Sequence, residues 1–134
     1  MTPTESMTDR RIVATPHAPG AIGPYSQAIV AGGFVHCSGQ IGLDPASGEL
    51  VPGGVREQAV RAMENIQGVL AASGSGFERA VKCNVYLTTM ADFAAVNEIY
   101  GRYFESGNAP ARATVAVAML PRNALVEIDC LALA

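Results

Sequence analysis

The chain has 134 residues, enough for one domain with a buried core, and carries a net charge of −3. That charge argues against a nucleic-acid surface, which would need clustered Lys and Arg. The sequence contains no apolar run of about 18 residues, so it predicts no membrane span. Hydrophobic residues make up 49% and charged residues only 16%. Since typical domains are about 25% charged, we expect apolar surface to be covered in a homo-oligomer.

The N-terminal segment, residues 1–10, is polar and lacks the apolar stretch of a secretory signal. We expect it to be a flexible tail, followed by a single domain over residues 11–134. Cys37, Cys83 and Cys130 each lie in an apolar, strand-like run. Their odd number and wide spacing favour buried, reduced thiols and a cytoplasmic location.

The first half of the chain predicts strands followed by a helix. Apolar runs at 11–15, 26–31 and 34–41 predict three strands, and the Gly32-Gly33 pair predicts a hairpin between the last two. After a turn at 44–48, apolar residues recur at i, i+3 and i+4 over residues 55–72. This period predicts a helix with one buried face.

The second half predicts a strand, a helix and two more strands. Residues 81–87 alternate between apolar and polar, residues 89–92 fit a capping box, and the helix that follows is expected to reach about residue 104. Strands are expected at 113–120 and 125–133. The order β-β-β-α-β-α-β-β predicts an α/β (α+β) fold, a mixed sheet with both helices on one face and an apolar, uncovered opposite face.

Two charged residues in the last apolar runs are the main candidates for chemistry, because such groups are costly to bury without partners. Arg112 could hold a carboxylate through two parallel hydrogen bonds, or it could pair with a surface acid. Glu127 could serve as a base beside a bound water, or it could belong to a solvated polar face. The sequence does not separate Glu127 from Asp129, which shares its strand face.

Other candidates also have two interpretations. Asn97 lies on the apolar stripe of the second helix and is expected either to bond helix to sheet or to contact a ligand. Tyr25 is a packing aromatic or a pocket wall. Ser38 and Gly39 end an apolar strand, where Gly39 would admit a ligand close to the backbone or mark a bulge.

Several familiar catalytic patterns are absent from the sequence. His17 and His36 lack metal-ligand spacing, Ser38 lacks a nucleophile elbow, and there is neither a P-loop nor a dinucleotide fingerprint. We therefore expect a site without metal or cofactor, built from Arg, Glu, Tyr, Ser and backbone groups.

Short motifs in a fixed order connect the chain to a known family. They are Ala21-Ile22-Gly23-Pro24-Tyr25-Ser26-Gln27-Ala28, Ser38-Gly39-Gln40-Ile41, Asp92-Phe93-Ala94-Ala95-Val96-Asn97, Pro110-Ala111-Arg112, Leu120-Pro121 and Val126-Glu127-Ile128. With these motifs the chain resembles the Rid family, the reactive intermediate deaminases of YjgF or RidA type, from about residue 12 to residue 132.

The resemblance implies a chorismate-mutase-like fold and a homotrimer with sites at the subunit interfaces. It also implies a hydrolase similar to 2-iminobutanoate/2-iminopropanoate deaminase. Such an enzyme converts imines and enamines such as 2-aminoacrylate, released by pyridoxal-phosphate dehydratases, to 2-keto acids and ammonia. On this resemblance Arg112 holds the substrate carboxylate and Glu127 positions or activates water. The residues implied to line the pocket are Tyr25, Ser38, Gly39, Asn97 and Thr114.

Departures from the family pattern leave the substrate open. Ala113 stands where Ser is frequent, Ala116 where many members have Glu, and Met119 where many have a basic residue. The loop at 106–109 is also slightly short. The alternatives are a ribonuclease or translation-inhibitor role, a non-catalytic ligand-binding or chaperone-like trimer, and an enzyme specialised for one catabolic imine.

Overall fold

The computed structural model describes residues 9–134, which form one six-stranded mixed sheet and two helices. The strand order is β1-β2-β3-β6-β4-β5, and only the β4–β5 pair is parallel. The predicted order of elements and the α+β class are confirmed. Of the expected tail, residues 1–8 lie outside the described residues. The elements are β1 (Arg10–Val13), β2 (Ala28–Ala31), β3 (Phe34–Gln40), α1 (Val55–Ala72), β4 (Ala80–Leu87), α2 (Phe93–Gly101), β5 (Ala111–Ala116) and β6 (Val126–Leu133).

Both helices cover the same face of the sheet. The apolar stripe of α1, which includes Met63, Ile66 and Leu70, is buried in one core with Val85 of β4 and Ile128 of β6. Side chains of α2 join this core, so the face beneath the helices is closely packed. At its start, α1 is capped by a hydrogen bond from the Gly54 backbone N–H to the Glu57 carboxylate, at 2.7 Å.

Several predicted boundaries differ from the structure, most clearly those of β5 and α2. β5 covers Ala111–Ala116 instead of 113–120, because it pairs only with β4, which ends at Leu87 opposite Ala116. α2 ends at Gly101 instead of near residue 104, since glycine is a poor helix former. Thr89 caps a short 3₁₀ turn ahead of α2, where its hydroxyl accepts a hydrogen bond from the Ala91 N–H.

The face of the sheet opposite the helices is mixed, where an apolar face was expected. Strand alternation brings polar side chains of β4 and β6 to it, together with apolar ones such as Ile29 of β2 and Leu131 of β6. Exposed apolar side chains lie on it at Ile12, Leu133 and, in the edge strand β5, Val115, and Met119 in the segment after β5 is 72% exposed. Such an edge is the kind of surface that contacts between subunits cover. The half-buried polar residues of the open face include Lys82, Asn84, Tyr86, Glu127 and Asp129.

The three cysteines lie side by side beneath the helices, and the prediction that they are free and buried is confirmed. Cys130 of β6 stands between Cys37 of β3 and Cys83 of β4. Burial, followed by the charge of Asp129, raises the pKa of the Cys37 thiol to about 12. No helix within residues 9–134 is long and apolar enough to cross a membrane.

Candidate active site

The two leading candidate residues lie on opposite faces of the sheet. Arg112 pairs with Cys83, whose side chain is buried beneath the helices, so the guanidinium lies on the helix side. Glu127 pairs with Tyr86, which belongs to the open face. One chain therefore does not bring the predicted carboxylate fork and the predicted base together. It holds an arginine half-site, with Arg112, and a glutamate half-site, with Glu127.

The arginine half-site is built against one side of α2. Phe93, Asn97 and Tyr100 are spaced i, i+4 and i+7, which brings them to one helix face. The Nη1 of Arg112 donates a hydrogen bond to Asn97 Oδ1 at 2.7 Å. The Arg112 Cζ lies 5.6 Å from the centre of the Phe93 ring and 5.0 Å from that of Tyr100, within cation–π range. Three contacts thus fix the direction of the guanidinium.

Arg112 has no carboxylate partner among residues 9–134. The ion pairs found among residues 9–134 belong to Arg56, Arg61 and Arg102, so the alternative in which Arg112 pairs with a surface acid is wrong for the described chain. The side chain of Arg112 is exposed, and a guanidinium has five N–H donors in a planar fork. With one of them bonded to an amide, the others can take both oxygens of a ligand carboxylate.

Asn97 differs from the sequence-based expectation of a buried amide, because it is exposed beside Arg112 and bonds helix to sheet. Phe93 and Tyr100 were not recognised as part of the site, although their spacing about Asn97 was a usable signal. Thr114 lies two residues beyond Arg112 on the same strand face. The hydroxyls of Thr114 and Tyr100 are buried without hydrogen-bond partners within the described chain.

In the glutamate half-site the structure separates the two acids that the sequence could not. Asp129 accepts hydrogen bonds from the Asn84 backbone and side chain, each at 3.0 Å, and from the Tyr86 hydroxyl at 3.2 Å. No donor among residues 9–134 bonds to the Glu127 carboxylate. Burial, followed by the charge of Asp129, raises the pKa of Glu127. Glu127 is therefore the acid better placed to accept a proton.

Gly39 makes room for the Glu127 carboxylate. The β3–β6 register shifts between Cys37 and Gln40, so Gly39 lies in a bulge. A Cβ at Gly39 would stand 2.9 Å from Glu127 Cδ, so any larger residue there would require the end of the Glu127 side chain to move. The interpretation of Gly39 as a bulge is confirmed. The group that lies against its backbone is the Glu127 carboxylate, and contact with a ligand stays a prediction. Ser38 steadies the same bend by donating from its hydroxyl to the Ser26 carbonyl at 2.6 Å.

A buried glutamine, which the sequence analysis did not select, anchors the loop that carries Tyr25. The Gln27 amide accepts from the Thr15 N–H at 2.7 Å and donates to the Pro19 carbonyl at 2.8 Å. Its only signal was its place in an otherwise apolar run. Tyr25 remains 53% exposed and lines, with Ser38, a cavity of about 600 Å³.

Within residues 9–134 no cluster of three or more His, Cys, Asp or Glu side chains could hold a metal ion.

Comparison with known proteins identifies the family. The sequence model described as Endoribonuclease L-PSP matches residues 15–134. The mouse protein named 2-iminobutanoate/2-iminopropanoate deaminase is 51% identical over 123 residues, covering 92% of this chain and 90% of its own. The chain therefore belongs to the Rid family of YjgF-type proteins.

Solved structures agree in fold. The Rid-family protein YyfA from Yersinia pestis has a TM-score of 0.91 and 40% identity, and the match covers 94% of this chain and all of that one. The E. coli protein TdcF, crystallised with bound serine, has a TM-score of 0.87 and 39% identity, covering 92% of this chain and 98% of its own. The mixed sheet with two helices is thus the fold of the family.

Proposed function

We propose that this protein hydrolyses reactive 2-imino acids and their enamine tautomers, such as 2-aminoacrylate, to 2-keto acids and ammonia. The observation that carries the proposal is an exposed Arg112, oriented by Asn97 and two rings and paired with no acid of the described chain. Such a fork suits a small ligand with a carboxylate. The name of the mouse relative and the serine bound to TdcF, an amino acid with a carboxylate, support the same ligand class.

Hydrolysis of an imine requires few catalytic groups from the protein. The water oxygen forms a bond to the imine carbon, the carbon–nitrogen bond breaks, and both water protons end on the departing ammonia. Glu127 would accept a proton from the water and return it to the nitrogen, a role that its raised pKa supports. Since an imine carbon is already electrophilic, a carboxylate clamp and one base suffice, with no redox step.

We further propose that each site forms between two chains, the arginine half-site of one meeting the glutamate half-site of the next. Two different surfaces in contact make a head-to-tail arrangement, which closes into a ring. A ring of three copies would contain three identical sites. The exposed apolar residues Val115 and Met119, near Arg112, support burial of this edge against another copy.

A coupled assay tests the function. A pyridoxal-phosphate serine or threonine dehydratase supplies the imine, and formation of the keto acid is followed with and without this protein. We expect acceleration by the wild type and a loss of about 3 kcal/mol or more of transition-state stabilisation in Arg112→Ala. The control is Arg102→Ala, which removes an exposed, ion-paired arginine elsewhere. Wild-type rates in Arg112→Ala would contradict the assignment.

The family description favours a ribonuclease as the second candidate. Binding to the phosphate backbone would require several cations acting together and would weaken steeply with salt. The net charge of −3 and the single arginine of the arginine half-site do not favour this. RNA cleavage or salt-dependent RNA binding that Arg112→Ala abolishes would revive the ribonuclease function.

A further inference from the structure

A basic pocket extends the glutamate half-site along the open face of the sheet. We define it by Tyr25 and Ser38 at one end and Arg10 and His36 at the other, all lining one cavity of about 600 Å³. That volume lies within the range of pockets for ligands much larger than a three-carbon imine. If the imine carbon reacts beside Glu127, most of this space is left for the substrate's side chain.

The strand register explains why Arg10 and His36 meet there. His36 of β3 pairs with Ile29 of β2, which pairs with Ile12 of β1. Arg10 is two residues from Ile12 and therefore on the same face, where its long side chain reaches back over the pocket. His36 is held at an angle against the Phe34 ring, with the ring centres 6.4 Å apart.

The charge of the basic pocket is one-sided. No Asp or Glu is among the residues that line it, although acidic residues outnumber basic ones in the chain, 12 to 9. None of the ion pairs found in residues 9–134 involves Arg10. The nearest acidic strand is β6. Its Glu127 lies against Gly39, beside the Ser38 end of the pocket, and its Asp129 turns towards Asn84 and Tyr86 of β4. An exposed cation at the opposite end, with no acid among the lining residues, is suited to a ligand anion.

We propose that Arg10, assisted by His36, binds a second anionic group of the substrate, so that the site accepts 2-imino dicarboxylic acids. This inference rests on the proposed function, because Arg112 of a neighbouring copy would hold the first carboxylate. Arg10 and His36 determine specificity: they contact the far end of the substrate and leave the chemistry at the imine carbon to Glu127.

The test compares two imines made in place by an amino-acid oxidase, 2-iminoglutarate from glutamate and 2-iminopropanoate from alanine. The measured quantity is the ratio of kcat/KM for the two substrates. We expect Arg10→Ala to lower the ratio for the dicarboxylic imine about tenfold, mainly through KM, as lost binding of a remote group does. His36→Gln should lower the ratio less, because the glutamine amide still offers a hydrogen-bond donor and the Arg10 guanidinium remains.

The matched control is Arg11→Ala. Arg11 carries the same charge one residue further on but faces the other way, donating to the Ser73 carbonyl at 3.3 Å. It should leave the ratio unchanged. An unchanged ratio in Arg10→Ala, or an equal loss in Arg11→Ala, would overturn the subsite. If the wild type accelerates hydrolysis of 2-iminopropanoate only, the proposed subsite is wrong, whereas the proposed function is supported. If it accelerates neither imine, the proposed function fails as well.

Discussion

The two half-sites of this chain are built in opposite ways. Arg112 is oriented within its own chain by an amide and two aromatic rings of α2. Glu127 lies on the open face, has no hydrogen-bond donor within the described chain, and has a raised pKa because it is partly desolvated. Under the proposed function, the group that binds the carboxylate is thus oriented before any ligand arrives, and the base is left without a hydrogen-bond donor. The comparison teaches that one chain can orient both groups and still hold them on opposite faces of its sheet.

Removing the Glu127 carboxylate should have the largest effect on kcat. We expect Glu127→Gln to lower kcat on an imine by about a hundredfold or more, with a smaller change in KM, because an amide cannot accept the water proton. Steady-state kinetics in the coupled assay measure both constants.

The matched control for that variant is Asp129→Asn on the same strand face. Asp129 is already used by Asn84 and Tyr86, so its replacement should cost stability more than rate. Equal losses of kcat in the two variants would show that Glu127 has no special role. Full kcat in Glu127→Gln would show that hydrolysis does not depend on the Glu127 carboxylate and would contradict its role as the base.

Removing a contact that orients Arg112 should have an intermediate effect on activity. We expect Asn97→Ala or Phe93→Leu to lower kcat/KM about tenfold, since the guanidinium keeps its charge but loses its fixed direction. The control is Glu98→Gln, which removes an ion pair with Arg56 on the other side of α2. In an Arg112→Ala background, Asn97→Ala and Phe93→Leu should not lower kcat/KM further. Additive losses of kcat/KM there would contradict a positioning role.

The smallest expected effect is on stability. Because the folded state raises the pKa of Glu127, ionising this carboxyl as pH rises destabilises the fold. Glu127→Gln should therefore have a slightly higher Tm than the wild type at neutral pH. The difference should vanish at a pH below the unfolded-state pKa, where both side chains are neutral. Thermal unfolding at several pH values checks this, and a lower Tm for Glu127→Gln at neutral pH would count against a desolvated carboxylate.

The sequence predicted the order of elements well, because apolar periodicity and the Gly32-Gly33 turn depend on local spacing. It could not assign Arg112 and Glu127 to opposite faces, since that depends on how β5 and β6 register against β4. The predicted start of β5 at residue 113 even left Arg112 outside the strand. The choice between Glu127 and Asp129 was also out of reach, because it rests on partners 43 and 45 residues away in the chain.

The most direct test of the central claim, that each site takes Arg112 from one chain and Glu127 from another, is complementation. Arg112→Ala and Glu127→Gln chains with different tags are co-expressed, and mixed oligomers are purified through both tags and assayed on an imine. Each variant alone should be nearly inactive. If the protein is the trimer proposed above, each mixed trimer has one site with both groups intact, and we predict about one-third of wild-type activity. Mixed oligomers with no more activity than the single variants would contradict the account.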